Sequence, residues 1–281
     1  MKRLSALAAV ILLFTLSVVN ILGGCSAANS NKLKVVTSTS LMEYIVKQVG
    51  GSMVEVTNLV PPSQHPGNFD IKPGNVQNLA KANLFLLHGW PGEGYADKLI
   101  AASNNTALVV VKANVDGNWM IPYIQAAAVD KVTSVLSEND SKNASAYQKA
   151  AETYKKKIQA VENDIQGRLA AVDAAGVKVI ASARQADFLL WAGFEVVGSF
   201  QSPQALTPQA IQDFINKGRA TGVTLVVNNL QDGKDAGQAI AQDLGVKNLN
   251  LSNFPGGFSD TETWETAVLY NVDILTNALK N

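Results

Sequence analysis

The chain contains two histidines, His65 and His88, which are its first candidates for metal chemistry, because neutral imidazole is a common ligand of transition metals. His65 lies in the stretch 59–73, which holds four prolines and one glycine, a composition that excludes regular structure. An alternating apolar pattern predicts a strand over 54–59, and a helix is predicted from Asn75 onward. Loops between a strand and a helix carry the binding groups of many α/β proteins. This loop is therefore where a bound metal ion is first expected.

The elements that must position this loop alternate between strands and helices. In the first part of the chain, helical apolar spacing covers residues 41–49 and 95–102. Strands are predicted over residues 34–38, 54–59, 83–87 and 107–112. This order is typical of βαβ units and favours a parallel sheet with helices on both faces.

The middle of the chain breaks this pattern. Helical spacing over 124–136 is followed by a polar interruption and then by one long helical pattern over 144–174 that contains no proline. The βαβ pattern then returns, with strands predicted over 177–181, 195–198, 223–227 and 246–251. The predicted fold is α/β, with two lobes, each a parallel sheet flanked by helices, joined by one long backbone helix. We expect an N-terminal lobe at 32–140, the connecting helix at 141–175 and a C-terminal lobe at 176–281.

The composition excludes several classes of function. The chain of 281 residues is 47% hydrophobic and 16% charged, which is typical of a globular protein. Its 23 basic and 23 acidic residues balance, so no basic field would attract nucleic acid. A single cysteine excludes an intrachain disulfide. Because the sequence also lacks a phosphate-binding glycine loop and offers little for a catalytic triad, we expect that the protein is not an enzyme.

The N-terminal segment explains the cysteine. A basic start at residues 2–3, an apolar stretch over 4–21 and small residues before Cys25 describe a secretory signal. The Leu-Gly-Gly-Cys of residues 22–25 resembles the lipobox of bacterial lipoproteins. That resemblance implies a signal peptide at 1–24, a diacylglyceryl group on Cys25, a tether at 25–31 and a location on the extracytoplasmic face of the bacterial cell membrane. The alternative is a transmembrane anchor, since the apolar run is about long enough to span a bilayer.

Further stretches of the mature chain carry a resemblance to a family. They are residues 35–40 with 45–51, the loop 59–62 with Pro66 and Pro73, the helix and strand at 79–84, and residues 270–272 near the C-terminus. Together they resemble the extracellular solute-binding proteins of zinc and manganese ABC importers, which have a long backbone helix between two lobes. The resemblance implies that the ligand binds between the lobes. It also implies that the loaded receptor docks on a permease and that an ATPase drives uptake.

The resemblance also implies metal ligands at four loops, usually histidines and carboxylates, which suit Zn²⁺ or Mn²⁺. The chain departs from this pattern at every one of them. In the first loop Gly67 takes the histidine position, and His65 takes the position of the preceding aspartate. In the second loop Asn118 stands before Trp119. The third loop offers Arg184, and the fourth offers Asn250.

These departures predict a different ligand. Glycine has no ligating side chain, a neutral asparagine is a weak ligand, and a guanidinium repels a cation. His65 is the one residue expected to bind a metal if any is bound, helped by an acid such as Asp70, Glu93 or Asp260. The aromatic rings expected at the cleft favour an organic solute. Arg184 has two interpretations, a partner for a carboxylate or phosphate of the ligand or a member of a surface salt bridge.

The sequence thus predicts a lipid-anchored substrate-binding protein of an ABC importer with a non-standard ligand, a small polar or anionic molecule or a metal chelate. One alternative is a receptor for free divalent zinc or manganese through an atypical site, and another is an adhesin-like surface lipoprotein. No cofactor is expected, and the missing ligands disfavour a divalent metal. The expected partners are the permease, its ATPase, the ligand and the membrane, but no nucleic acid. The candidate cleft residues are His65, Gly67, His88, Trp90, Asn118, Trp119, Arg184 and Asn250.

Overall fold

Apolar strands in the first part of the chain form a parallel sheet in the order β2-β1-β3-β4. The computed structural model describes residues 32–280. The strands are β1 (Leu33–Thr37), β2 (Val54–Asn58), β3 (Leu84–Leu87) and β4 (Val109–Lys112). The helices between them are α1 (Ser40–Gly50), α2 (Pro73–Ala80) and α3 (Tyr95–Ser103).

Two helices follow this sheet and lead to the second one. Helix α4 (Pro122–Asn139) ends in a 3₁₀ turn at Ser141–Asn143, and α5 (Ala144–Ala170) then runs for 27 residues, about 40 Å. The buried side chains of α5 recur at helical spacing, and the opposite face carries most of its charges. This is the long backbone helix that the sequence predicts.

The second part of the chain repeats the architecture, with strand order β6-β5-β7-β8 and parallel pairing throughout. The strands are β5 (Lys178–Ser182), β6 (Glu195–Phe200), β7 (Leu225–Asn229) and β8 (Lys247–Leu251). The helices are α6 (Ala183–Trp191), α7 (Pro208–Thr221), α8 (Gln238–Leu244) and α9 (Trp264–Leu279). The predicted α/β fold with two lobes and a long helix is therefore confirmed, whereas the expected boundaries at 140/141 and 175/176 stay predictions.

One hydrophobic core joins both sheets to the long helix. Val35 of β1, Ile158 of α5 and Val179 of β5 belong to the same buried cluster. Neighbouring strand residues such as Val36 and Ile180 point to the opposite faces, where each lobe has its own smaller cluster. The lobes are therefore packed on a common interior, which restricts their relative motion.

Several element ends differ from the predicted ones, and two of the differences have clear local reasons. Strand β4 begins at Val109 rather than at residue 107, because the Asn105 side chain accepts from the backbone N–H of Ala107 and holds a turn there. Helix α9 begins at Trp264, because Thr263 caps it by accepting from the N–H of Thr266. Helix α4 continues through the polar stretch to residue 139. None of the helices within residues 32–280 is both long and apolar enough to cross a membrane.

The contact between the lobes depends on Trp264 of α9. Its side chain is fully buried, and its indole N–H donates to the backbone carbonyl of Trp119 at 2.9 Å. We expect Trp264→Phe to leave that carbonyl unpaired and to open a small void, lowering the free energy of unfolding by about 2–4 kcal/mol. Urea denaturation measures this change. The half-buried Trp191 is the control, and a Trp191→Phe loss as large as that of Trp264→Phe would contradict the assignment.

Candidate functional site

The carboxyl ends of the strands of both sheets surround one cavity of about 620 Å³. This is the position at which open α/β sheets bind their ligands. The N-terminal lobe contributes the loops after β2, β3 and β4, and the C-terminal lobe contributes α6 and the loops after β7 and β8. The cavity lining includes His65, Trp90, Asn118, Trp119, Arg184, Asp187, Asn229, Gln231, Asn253 and Phe254.

The imidazole of His65 serves the backbone of its own loop. Its Nδ1 accepts from the N–H of Gly67 at 2.9 Å, which caps a 3₁₀ turn at Pro66–Asn68. Burial and the charge of Arg184 lower the pKa of His65, against the opposing effect of Asp232. The ring is therefore neutral at pH 7, and because Nδ1 accepts, its proton lies on Nε2. Nε2 lies 4.0 Å from Oδ1 of Asp232, across the cleft.

Gly67 is absent from the cavity lining because the His65 ring covers it. A Cβ at position 67 would lie 2.9 Å from Nδ1 of His65 and 3.9 Å from the backbone of Gly92. The two departures that the sequence shows in this loop are thus one structural feature. The imidazole occupies the space that a side chain at position 67 would need.

The ring of Trp90 forms a wall of the cavity, and Glu93 and His88 fix its position from the side away from the cavity. Its backbone N–H and those of His88 and Gly89 all donate to the carboxylate of Glu93, at 2.7–3.2 Å. Gly89 has a φ of +91°, a conformation that favours glycine, and a Cβ there would collide with Asn114. His88 stacks on Trp90 with ring centroids 3.7 Å apart and planes 13° apart.

His88 lies behind the cavity wall, so it is corrected from a cavity-lining candidate to a support of Trp90. Its Nε2 lies 2.7 Å from Oγ1 of Thr39, which also caps α1, and its Nδ1 is buried without a hydrogen-bond partner in the described part of the chain. Burial lowers the pKa of His88 to about 3. The ring is neutral, as stacking in an apolar wall requires.

Trp119 contributes an edge to the cavity while most of its ring belongs to the shared core. Its indole N–H donates to the carbonyl of Val115 at 2.9 Å, and its centroid lies 4.3 Å from that of His88. Tyr123, another aromatic near this loop, is 62% exposed and does not line the cavity.

Neutral amides connect the lobes across the cavity. Asn118 donates through Nδ2 to Oδ1 of Asn253 and to the backbone carbonyl of Arg184, both at 3.0 Å. Its own Oδ1 accepts from the N–H of Met120 at 2.8 Å. The Asn253 oxygen accepts from Gln185 as well, at 3.0 Å. We call the Asn118–Asn253 contact the amide bridge.

Gln231 makes a second polar link between the lobes. It donates through Nε2 to the carbonyl of Pro62 at 2.8 Å and accepts through Oε1 from the N–H of Asn253. Ser40 adds a third link, donating to the carbonyl of Pro255 at 2.7 Å. These amides bind protein groups on both sides of the cleft, so a ligand that used them would compete with the hydrogen bonds between the lobes.

Arg184 forms an ion pair inside its own lobe. Its Nε donates to both oxygens of Asp232, at 3.0 and 3.2 Å, and Asn229 donates to the same carboxylate at 3.0 Å. Asp232 is only 8% exposed, so it needs this cation. Of the two interpretations of Arg184, the structure shows the salt bridge, formed through Nε, whereas pairing of this side chain with an anion of the ligand stays a prediction.

Asn250 does not line the cavity, because it lies within β8, one residue before the strand ends. The residue of that loop that reaches the cavity is Asn253, which follows the strand. The rule that parallel strands place functional residues after their carboxyl ends could have found it. Asp187 and Phe254 were also missed, and they become apparent only when α6 and the loop after β8 are placed. Neither Asp70 nor Asp260 lines the cavity.

The cavity does not fit a bare transition metal. No group of three or more histidine, cysteine, aspartate or glutamate side chains within residues 32–280 is arranged to hold one. A metal at Nε2 of His65 would force the proton onto Nδ1, where it would face the N–H of Gly67. The oxygens of Asn118 and Asn253 already accept N–H groups, and the carboxylate of Asp232 is engaged by Arg184.

Two lobes around a cleft, with a long helix between them, define the class of substrate-binding proteins of ABC importers. A family model described as zinc-uptake complex component A, periplasmic, matches residues 35–278. The chain therefore belongs to this family.

Named relatives agree with this assignment. The manganese-binding lipoprotein MntA of Halalkalibacterium halodurans is 23% identical to this chain, and the match covers 92% of this chain and 94% of MntA. The manganese ABC transporter substrate-binding lipoprotein PsaA of Streptococcus mitis is 22% identical, with 99% of each chain covered. The protein FpvC of Pseudomonas aeruginosa, solved with Mn²⁺, has a TM-score of 0.77 at 20% identity and covers 89% and 99% of the two chains. Such structures support the fold.

The neutral, buried His88 predicts a loss of stability in acid. The folded-state pKa of about 3 lies below the unfolded value of 6.5, so the unfolded chain binds the proton first. The stabilisation is complete above pH 6.5 and declines as the pH falls toward 3, by on the order of 5 kcal/mol at the lower limit.

We expect His88→Gln to flatten the pH dependence of the unfolding free energy between pH 6.5 and 4. Urea titrations at several pH values measure it. The control variant is His65→Gln, which removes the other histidine. The pKa of His65 is also lowered, but its ring lies in a half-buried site. An unchanged acid slope in His88→Gln would contradict the assignment.

Proposed function

We propose that the protein is a lipid-anchored substrate-binding protein of an ABC importer that carries a small organic solute or a metal chelate instead of a bare metal ion. The proposal rests on the amide bridge, because the amide groups of Asn118 and Asn253 form hydrogen bonds between the lobes instead of facing a metal ion. The cavity of about 620 Å³ has the size of small-molecule sites, which cover roughly 300–1,000 Å³.

The proposed setting follows from the family and from the N-terminal sequence. Cys25, which lies outside the described residues, is the proposed site of a lipid that holds the protein to the extracytoplasmic face of the membrane. The proposed partners are a permease and its ATPase. We also propose the division into lobes at 32–140 and 176–281 around a connecting segment at 141–175. In that division the shared core limits how far the lobes separate.

A second candidate is a receptor for free Zn²⁺ or Mn²⁺. Two observations favour it. Relatives of the chain are named for manganese, and the cavity wall contains one imidazole, that of His65, and one carboxylate, that of Asp187. Binding there would need His65 to turn away from Gly67 and would leave most of the coordination sphere to water.

Metal titration separates the two candidates. We expect mature protein dialysed against chelator to show no sub-micromolar binding of Zn²⁺ or Mn²⁺ by calorimetry and no rise in melting temperature. A cation at 100 times its dissociation constant would add about 2.7 kcal/mol, a shift of several degrees for a chain of this size. His65→Ala and Asp97→Asn, an exposed acid remote from the cavity lining, complete the set. Sub-micromolar binding that His65→Ala abolishes and Asp97→Asn retains would establish the metal receptor instead.

A further inference from the structure

We propose, on the basis of the organic-solute function above, that the solute is a flat organic cation held between the rings of Trp90 and Phe254, with Asp187 as its counter-charge. Both rings and the carboxylate line the same cavity. Trp90 comes from the N-terminal lobe and Phe254 from the C-terminal lobe, so a solute between them would touch both.

The spacing of the two rings suits a planar guest. Their centroids are 6.4 Å apart and their planes differ by 21°. Carbon atoms in contact lie about 3.5 Å apart, so a flat group between two parallel rings needs about 7 Å. The centroid distance is the upper limit of the spacing between the planes, so the rings must move apart by at least about half an ångström to admit a guest, and a flat group such as an aromatic ring, an amidine or a guanidine requires the smallest movement.

Trp90 is built as a rigid platform for such a guest. His88 already stacks on it at 3.7 Å, and Glu93 fixes the backbone of both residues. Since His88 is pinned to Thr39 and neutral, it supports the ring without placing a positive charge behind it. A ring whose position is fixed before binding loses little entropy when a guest arrives.

The charges at the cavity favour a cation over an anion. Arg184 is neutralised by Asp232, and His65 is neutral. Asp187, on the same helix as Arg184, lines the cavity and has no hydrogen bond or ion pair among the contacts of the described chain. These groups sum to one negative charge. Because an aromatic face attracts a cation through its quadrupole, the two rings and the carboxylate act in the same direction.

The neutral amides fit the same conclusion. Asn118, Asn253 and Gln231 are engaged with each other and with backbone groups, so they contribute shape more than hydrogen bonds to the solute. The recognition elements left at the wall are the ring faces, the free carboxylate and the outer nitrogens of Arg184. Only the last of these attracts an anion, and Arg184 is already paired with the carboxylate of Asp232.

Calorimetry with matched probes tests the proposal on the mature chain. N-methylnicotinamide, thiamine and agmatine are flat or partly flat cations, nicotinate is a flat anion of nearly the same shape as the first, and choline is a cation that is not flat. We expect at least one flat cation to bind, and nicotinate and choline to bind at least 10-fold more weakly. Trp90→Leu should weaken the flat cation about 2- to 30-fold, the range of a cation–π contact. Asp187→Asn should weaken it without improving choline.

The controls are Trp191→Leu, a half-buried tryptophan that does not line the cavity, and Asp97→Asn. Both should bind as the unchanged protein does, and thermal melting confirms that every variant is folded. If nicotinate binds as tightly as N-methylnicotinamide, the proposed preference for a cation is wrong. If choline binds as tightly, the proposed preference for a flat group between Trp90 and Phe254 is wrong. Failure of all three flat cations would overturn the inference alone, because the Zn²⁺ and Mn²⁺ titrations above decide the proposed function separately.

Discussion

The structure of the cleft depends on the hydrogen bonds of the amide bridge. Asn118 and Asn253 satisfy each other across the lobes, and their remaining atoms bind backbone groups of Met120 and Arg184. A metal receptor needs charged or imidazole ligands at the meeting point of the lobes, and those ligands would repel or crowd each other until a cation arrives. Neutral amides carry donors and acceptors together, so they can connect the lobes without a cation.

The charged and titratable groups around the amide bridge also have partners within the protein. Arg184 forms an ion pair with Asp232, whose carboxylate is almost fully buried and needs a positive partner. His65 keeps a neutral ring by accepting the N–H of Gly67, and His88 keeps one by burial against Trp90. At the cavity wall, Asp187 is thus the one charged side chain of the described residues without an ion-pair partner.

The sequence predicts the fold better than the site because the two depend on different information. The eight strands and the long α5 follow from apolar periodicity, which buries them whatever the cargo. The loop of His65 was identifiable from its prolines, but its imidazole's role depends on one backbone N–H that periodicity does not report. The choice of Asn250 over Asn253 shows the limit: it turns on where β8 ends, and strand ends are the least certain part of a pattern. Asp187 emerges only from the face of α6.

The packing separates the cavity wall from the core that holds the lobes together. Trp264 joins the lobes through the common core by its hydrogen bond to the carbonyl of Trp119, whose ring reaches from that core to the cavity. Asn118 lines the cavity and does not belong to that core. Substitutions at the wall therefore alter the chemistry of the cleft at little cost to folding, whereas substitutions one layer deeper would unfold the junction. The Trp90 platform is the exception, because it belongs to both layers: Glu93 and His88 tie its position to the first sheet, so the geometry of the slot is inherited from the fold itself.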